Sequence, residues 1–204
     1  GKPYLILDQE MPKKEYFERP FSPKISASDG EIHTVVIGRM IGISVEDMRR
    51  LAAHRIHVHL YSASYYRQKN TGNNLYGRVA QRYFHVHAYC PNEKWVEEFS
   101  RYDAGWLHAG HSRNRGDLFR AMWDDLNIPA RVGTLAAAGL PLILRRNTEH
   151  IVASKELSEQ YGIGILYDSI TELATQLHDK DFMDILTRNM QEHRMEFTMD
   201  AHTP

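Results

Sequence analysis

Short apolar runs alternate along this chain with longer segments of mixed polarity, a pattern that predicts strands followed by helices. Thr34 to Ile37, Ile56 to Tyr61, Phe84 to Tyr89, Ala104 to His108, Leu142 to Leu144 and Gly164 to Tyr167 read as strands. Helices are expected over Ser44 to His54, Asn92 to about Arg101, a stretch opening at Pro129, Thr148 to Gln160, Ser169 to His178 and Asp181 to Phe197. Repeated strand–helix units predict a doubly wound, mostly parallel sheet with helices on both faces, a Rossmann-like α/β domain. Residues 1–31 are polar and broken by Pro3, Pro12, Pro20, Pro23 and Gly30, with one apolar cluster at Tyr4 to Leu7. That arm reads as an interdomain connector, and residues 32–204 as the domain itself.

Local signals sharpen two of the helices. Ser44 with Asp47 three residues on forms a capping-box pattern. Asn127 can cap a helix whose first position suits Pro129, where a missing N–H has no intrahelical partner to lose. Val132 to Ala138 is small and apolar, so this helix can lie close to a sheet; Gly139 then stops it and Pro141 prevents continuation. N–H groups around Ala130 to Gly133, with Arg131 in the first turn, would suit an anion such as phosphate. The plainer alternative pairs Arg131 with Asp124 or Asp125.

In doubly wound sheets, ligands sit beyond the carboxyl ends of the strands. Gly38–Arg39, Tyr89–Pro91, His108–Arg115 and Ile128–Arg131 all fall at such ends or at the helix starts beyond them. The pattern therefore gathers them on one edge. Gly38 lets the chain turn close past a ligand, while Arg39 is either a site residue or a surface arginine after a turn. Tyr89 could border a ligand there, or could be a tyrosine buried at a sheet end. The loop from His108 to Asp125 is rich in Arg and His; Arg113 and Arg115 could approach a ligand, or the loop could simply be solvated and mobile. Trp106 and Trp123 read as core or loop anchors. GRMIG after the first strand is not the dinucleotide fingerprint, which counts against a nicotinamide-dependent oxidoreductase.

Three blocks carry a family resemblance. PARVGTLAAAGLPLI (Pro129 to Ile143) resembles the P-x-K/R-x-x-E/T-x-L-A-A-G-x-P-V-I segment in the C-terminal, donor-binding half of GT-B glycosyltransferases. HTVVIGR (His33 to Arg39) is similar to the first strand of that half, and FHVHAYCPNEKWVEEFSRYDAGWLH (Phe84 to His108) to its G-Y-x-P and aD-x-G-l block. The resemblance runs from roughly Ile32 to Met199. It implies one half of a GT-B architecture, holding a nucleotide-sugar through Gly38, Arg39, Tyr89, Pro91, His108, Arg113, Ile128, Ala130, Arg131, Val132 and Thr134. Arg39 and Arg131 would contact the diphosphate, and Tyr89 to Pro91 would edge the base. Thr134 departs from the family's frequent glutamate, and a hydroxyl lacks the paired acceptors of a carboxylate. The donor would carry UDP or GDP and no separate cofactor. The general base would lie in a missing N-terminal acceptor domain, making the chain an excised or split fragment that is nearly inactive alone. The alternative is a non-catalytic α/β nucleotide-binding or interaction module.

Composition narrows the rest. A formal net charge of -1 argues against a nucleic-acid partner. The single cysteine, Cys90, excludes an internal disulfide and fits a reducing, cytoplasmic setting, with a peripheral membrane association of the full-length protein left open. Alternate histidines at His57/His59 and His85/His87 share a strand face, yet their neighbours look like ordinary strand sequence, so no metal is expected. Glu93, Glu97 and Glu98 read as a solvated helix face. The last helix is expected to leave apolar surface exposed, through which the isolated domain could self-associate.

Overall fold

The computed structural model describes residues 11–68 and 74–202; the Tyr4 to Leu7 cluster and Pro3 lie outside them. Six strands form a single sheet: β1 (Ile32–Ile37), β2 (Ile56–Tyr61), β3 (Phe84–His87), β4 (Ala104–Trp106), β5 (Leu142–Arg145) and β6 (Gly164–Tyr167). Their order is β3-β2-β1-β4-β5-β6 and every pairing is parallel. The chain thus has the doubly wound α/β fold expected from its pattern.

The helices are α1 (Ser26–Asp29), α2 (Val45–Ala53), α3 (Ala63–Gln68), α4 (Leu75–Ala80), α5 (Trp95–Phe99), α6 (Trp123–Leu126), α7 (Arg131–Ala137), α8 (Ala153–Gln160), α9 (Ile170–His178) and α10 (Lys180–His193). Ser44 caps α2 in a full capping box with Asp47, as its spacing predicted. Among the described residues no helix is long and apolar enough to cross a membrane.

Strand alternation splits the core into two layers. Val36, Val58, Leu60, Trp106, Ile143 and Tyr167 face α2, α4 and α9. Val35, Tyr61, Leu107, Leu142 and Leu144 face α5 and α7. The small residues of α7 allow the close approach inferred from sequence: a Cβ on Gly105 of β4 would lie 2.2 Å from Leu135 Cδ2.

Several boundaries move for identifiable reasons. α7 is capped by Ala130 without a side-chain bond, while the Asn127 N–H closes α6 on the Trp123 carbonyl. α8 starts at Ala153 rather than Thr148, because Asn147 and Glu149 hold left-handed φ values of 47° and 62° that a helix forbids. Residues 147–151 instead bind the His108–Asp125 loop. The Asn147 side chain accepts from the Ser112 N–H and donates to the Gly110 carbonyl. Fully buried Asn114 exchanges hydrogen bonds with Ile151. The loop is pinned, not simply solvated.

The arm is also packed. Phe17 is buried, the Ser22 N–H donates to Ser100 Oγ, and the Ile25 N–H donates to the Arg101 carbonyl. Glu98 is half-buried rather than on a fully solvated face, since it accepts the Tyr61 hydroxyl.

The β1–α2 loop is fixed against the end of β4. The Ala109 N–H donates to the Ile41 carbonyl at 3.0 Å. Gly42 has φ +78°, and a Cβ there would stand 2.2 Å from the Ala109 carbonyl carbon. Neither backbone can yield without opening the loop. Gly42→Ala is therefore expected to destabilise the chain by about 3 kcal/mol, measured by urea unfolding.

Candidate functional site

Strand order reverses between β1 and β4, the two central strands, and this opens a crevice beyond their carboxyl ends. A cleft of ≈ 1360 Å³ lies there. Eight of the residues named from sequence line it: Gly38, Arg39, His108, Ile128, Ala130, Arg131, Val132 and Thr134. Tyr89, Pro91 and Arg113 do not, although Asn92, one residue beyond Pro91, does. Tyr89 is 70% exposed and donates to Asn92 Oδ1 at 3.3 Å, so it stands outside the cleft rather than buried at the sheet end. Arg113 and Arg115 are exposed on the pinned loop.

Arg131 dominates the floor of the cleft. It is only 8% exposed. Its Nη2 donates to the Arg39 carbonyl at 2.8 Å, and its Nη1 reaches the Trp106 carbonyl at 3.5 Å. Gly38 turns the chain beside Nη2 with φ +88°, a backbone conformation that favours glycine. Neither Arg131 nor Arg39 forms an ion pair among the described residues. The alternative pairing with Asp124 or Asp125 does not occur among the described residues, and the Asp125 carboxylate instead accepts the Met122 N–H. Burial, with Arg39 beside it, pulls Arg131 down to about 10, still far above neutrality. The guanidinium therefore stays charged with only carbonyl dipoles to compensate it. A buried charge without a counter-ion is costly, typically by ~3–5 kcal/mol, and an anion in the cleft would offset that cost.

The helix start contributes less than its sequence implied. The Val132 and Gly133 N–H groups turn back onto the carbonyls of Pro129 and Ala130. Thr134 is 6% exposed and contributes to the wall.

His108 follows β4 and faces Arg131. Its Nδ1 is buried without a hydrogen-bond partner. Burial, then the positive charge of Arg131, lower its pKa, so the ring is a neutral donor–acceptor at pH 7.

Sequence reasoning missed several contributors, among them an aromatic and two residues of the arm. Trp123, read as an anchor, is 70% exposed and lines the cleft. Lys13 and Tyr16 reach it from the arm, where Tyr16 packs edge-on against Trp95 at 5.8 Å. The available signal was an aromatic at the end of a long loop, without periodicity to mark it. The NMR titration midpoint of His108 should lie below the ordinary histidine value and rise in Arg131→Met, which removes a repelling charge.

No protein-family model and no curated protein matches the chain. Solved structures do. An α,α-trehalose 6-phosphate synthase from Burkholderia multivorans matches with TM-score 0.50 and 10% identity, over 86% of this chain and 41% of its own. The glycosyltransferase SnogD from Streptomyces nogalater matches with TM-score 0.48 and 16% identity, over 83% and 40%. The chain thus spans about two fifths of the length of these proteins. It has a GT-B-type, Rossmann-like fold.

Proposed function

We propose that this chain is the donor-binding part of a hexosyltransferase-like, metal-independent glycosyltransferase. It would hold a nucleotide-diphosphate sugar, carrying UDP or GDP, for transfer to an acceptor on a separate domain. The observation that carries this reading is the buried, unneutralised Arg131 beside Arg39 in a cleft at the sheet's switch point. Two guanidinium groups that pair with no carboxylate among the described residues call for a di-anion, and a diphosphate offers paired oxygens to match.

As the sugar's anomeric carbon separates from the terminal phosphate oxygen, negative charge grows on the departing diphosphate. Arg131 is already charged and fixed by two carbonyls, so it can stabilise that charge without reorganising. Neutral His108 can donate one hydrogen bond to a phosphate or sugar oxygen. Trp123 at the wall offers a face for a base or a sugar ring. The general base that deprotonates the acceptor is assigned to the acceptor domain. Exposed Leu118, Phe119, Met122 and Leu126 beside the cleft suit a surface covered by that domain and could mediate self-association without it. Buried Cys90 fits the cytoplasm as the location we propose. Deeply placed Thr134 also favours a second reading, a non-catalytic nucleotide-binding module, because it offers no carboxylate to the ribose.

Calorimetric titration with UDP, GDP, ADP and TDP tests the donor site. One of UDP or GDP is expected to bind most tightly. Arg131→Ala and the exposed-residue variant Arg39→Ala should each weaken it about tenfold or more, the worth of a charge-assisted hydrogen bond. Absence of binding by all four nucleotides would overturn the reading for this chain. Glycosyl transfer by the purified chain alone should be negligible; robust turnover would refute its assignment as a donor half.

A further inference from the structure

Away from the cleft, five imidazoles share one face of the sheet where β1, β2 and β3 run side by side. His33 lies on β1, His57 and His59 on β2, and His85 and His87 on the edge strand β3. The first three are 4%, 6% and 6% exposed, and the β3 pair is half-buried. Parallel register joins the rings into two hydrogen-bonded files. In the first, His33 Nε2 meets Asp29 Oδ2 at 3.0 Å, His33 Nδ1 meets His59 Nε2 at 2.9 Å, and His59 Nδ1 meets His87 Nε2 at 2.9 Å. In the second, His57 Nε2 meets Glu31 Oε2 at 2.6 Å, and His57 Nδ1 meets His85 Nε2 at 2.9 Å. An ionised carboxylate heads each file and only accepts, so it places the proton of neutral His33 and His57 on Nε2. Each ring that follows then donates from Nε2 to the Nδ1 before it. All five rings are thereby set as the Nε2–H tautomer.

We propose that these two files form an acid-sensitive latch, which holds β3 against β2 near neutral pH and releases it in mild acid. The reason is a proton count. Each ring–ring contact has room for one proton between its two nitrogens, whereas two separated imidazoles in acid carry two there. Three such contacts therefore exclude three protons that the same rings accept once apart. Stacking adds to this. His33 and His57 lie nearly parallel at 4.2 Å, and His59 and His85 at 4.3 Å, where like charges repel. β3 is the weak point, because it has four residues, pairs in the sheet with β2 alone, and carries the half-buried end of each file.

The surroundings set the pH window. Burial, then the neighbouring histidines, pushes His59 far down and His85 to about 4. Burial also lowers His57, although Glu31 opposes it. A histidine held below its unfolded value of 6.5 contributes fully above that pH, and its contribution is lost as pH falls toward the folded value. The two heading carboxylates titrate lower. His57 and Arg55, then Arg82, hold Glu31 at about 2, and the Glu31 N–H, then His33, lowers Asp29. Beside β3, Tyr83 packs on the His57 ring at 4.7 Å. On the covering side, Tyr102 packs on His59 at 4.7 Å, and Tyr61 stacks on His87 at 4.5 Å while donating to Glu98, which pairs with Arg101. Asp103 accepts the His33 N–H, and Lys24 beside it is lowered by burial only to about 8, so it stays charged throughout the window.

The test is unfolding of the full chain as a function of pH. The melting temperature should be level from about pH 8 to 7 and fall below about 6.5, with a slope that reports uptake of at least about two protons on unfolding. His85→Gln with His87→Gln replaces the two β3 rings by amides, which turn to donate or accept and so fit either state of His57 and His59. The double variant should cut the uptake by about two protons, while exposed His178→Gln should leave the slope as it is. Should the double variant fail to fold, two measurements on the unaltered chain decide. Nitrogen NMR near neutral pH should find Nε2–H at His33 and His57. Amide exchange, corrected for its intrinsic pH dependence, should lose protection in mild acid on β3 and β2 before β5 and β6. A melting temperature level down to about pH 5, unchanged uptake in the double variant, an Nδ1–H tautomer at His57, or earlier opening of β5 and β6 would overturn the proposal.

Discussion

Strand β1 hydrogen-bonds β2 along one edge and β4 along the other, and the functional geometry follows from that double pairing. A strand so placed, with Val35 and Val36 buried on opposite faces, cannot shift register without moving apolar side chains out of both cores at once. Its carboxyl end is thereby fixed, and with it Gly38, Arg39 and the crevice where crossovers leave in opposite directions. The β1–α2 loop is then clamped against β4 by the contact of Gly42 with the Ala109 backbone. The cleft floor rests on covalent geometry and close packing rather than on a mobile loop.

Charge is handled very differently in two parts of the molecule. Buried Glu31 accepts from His57, Arg55 and Arg82, and these partners hold its carboxyl down at about 2. Arg131 is nearly as buried yet receives only two backbone carbonyls, with another arginine close by. One buried ion is satisfied internally; the other pairs with no carboxylate among the described residues. The first arrangement stabilises the fold, and the second is the one on which the proposed donor site rests.

The face of β1 to β3 opposite α2 and α4 is equally unusual. Imidazoles from His33, His57, His59, His85 and His87 occupy positions where parallel strands ordinarily place aliphatic side chains. α5, which follows β3, has five residues, so it covers little of this face. Histidines tolerate the partial cover because each ring can bond a neighbour or a carboxylate.

Sequence alone determined the six strands and the helices α2, α5, α7, α9 and α10 that alternate with them, but not α1, α3, α4 or α6. Those elements are written locally, in a run of apolar residues, a cap such as Ser44, or a stop such as Gly139. It also determined most of the cleft wall, because strand ends in a doubly wound sheet must share an edge. Tertiary structure decided what depends on contacts between distant segments. Tyr89 and Pro91 follow a strand but turn away from the cleft, while Trp123, Lys13 and Tyr16 enter it from a loop and an arm that carry no periodicity. α8 begins late because Asn147 is recruited by a loop more than thirty residues upstream. The histidine pairs look like ordinary alternation until parallel register sets His33 beside His57 and His59 beside His85. Local pattern specifies what a segment becomes; only packing specifies which side chains meet.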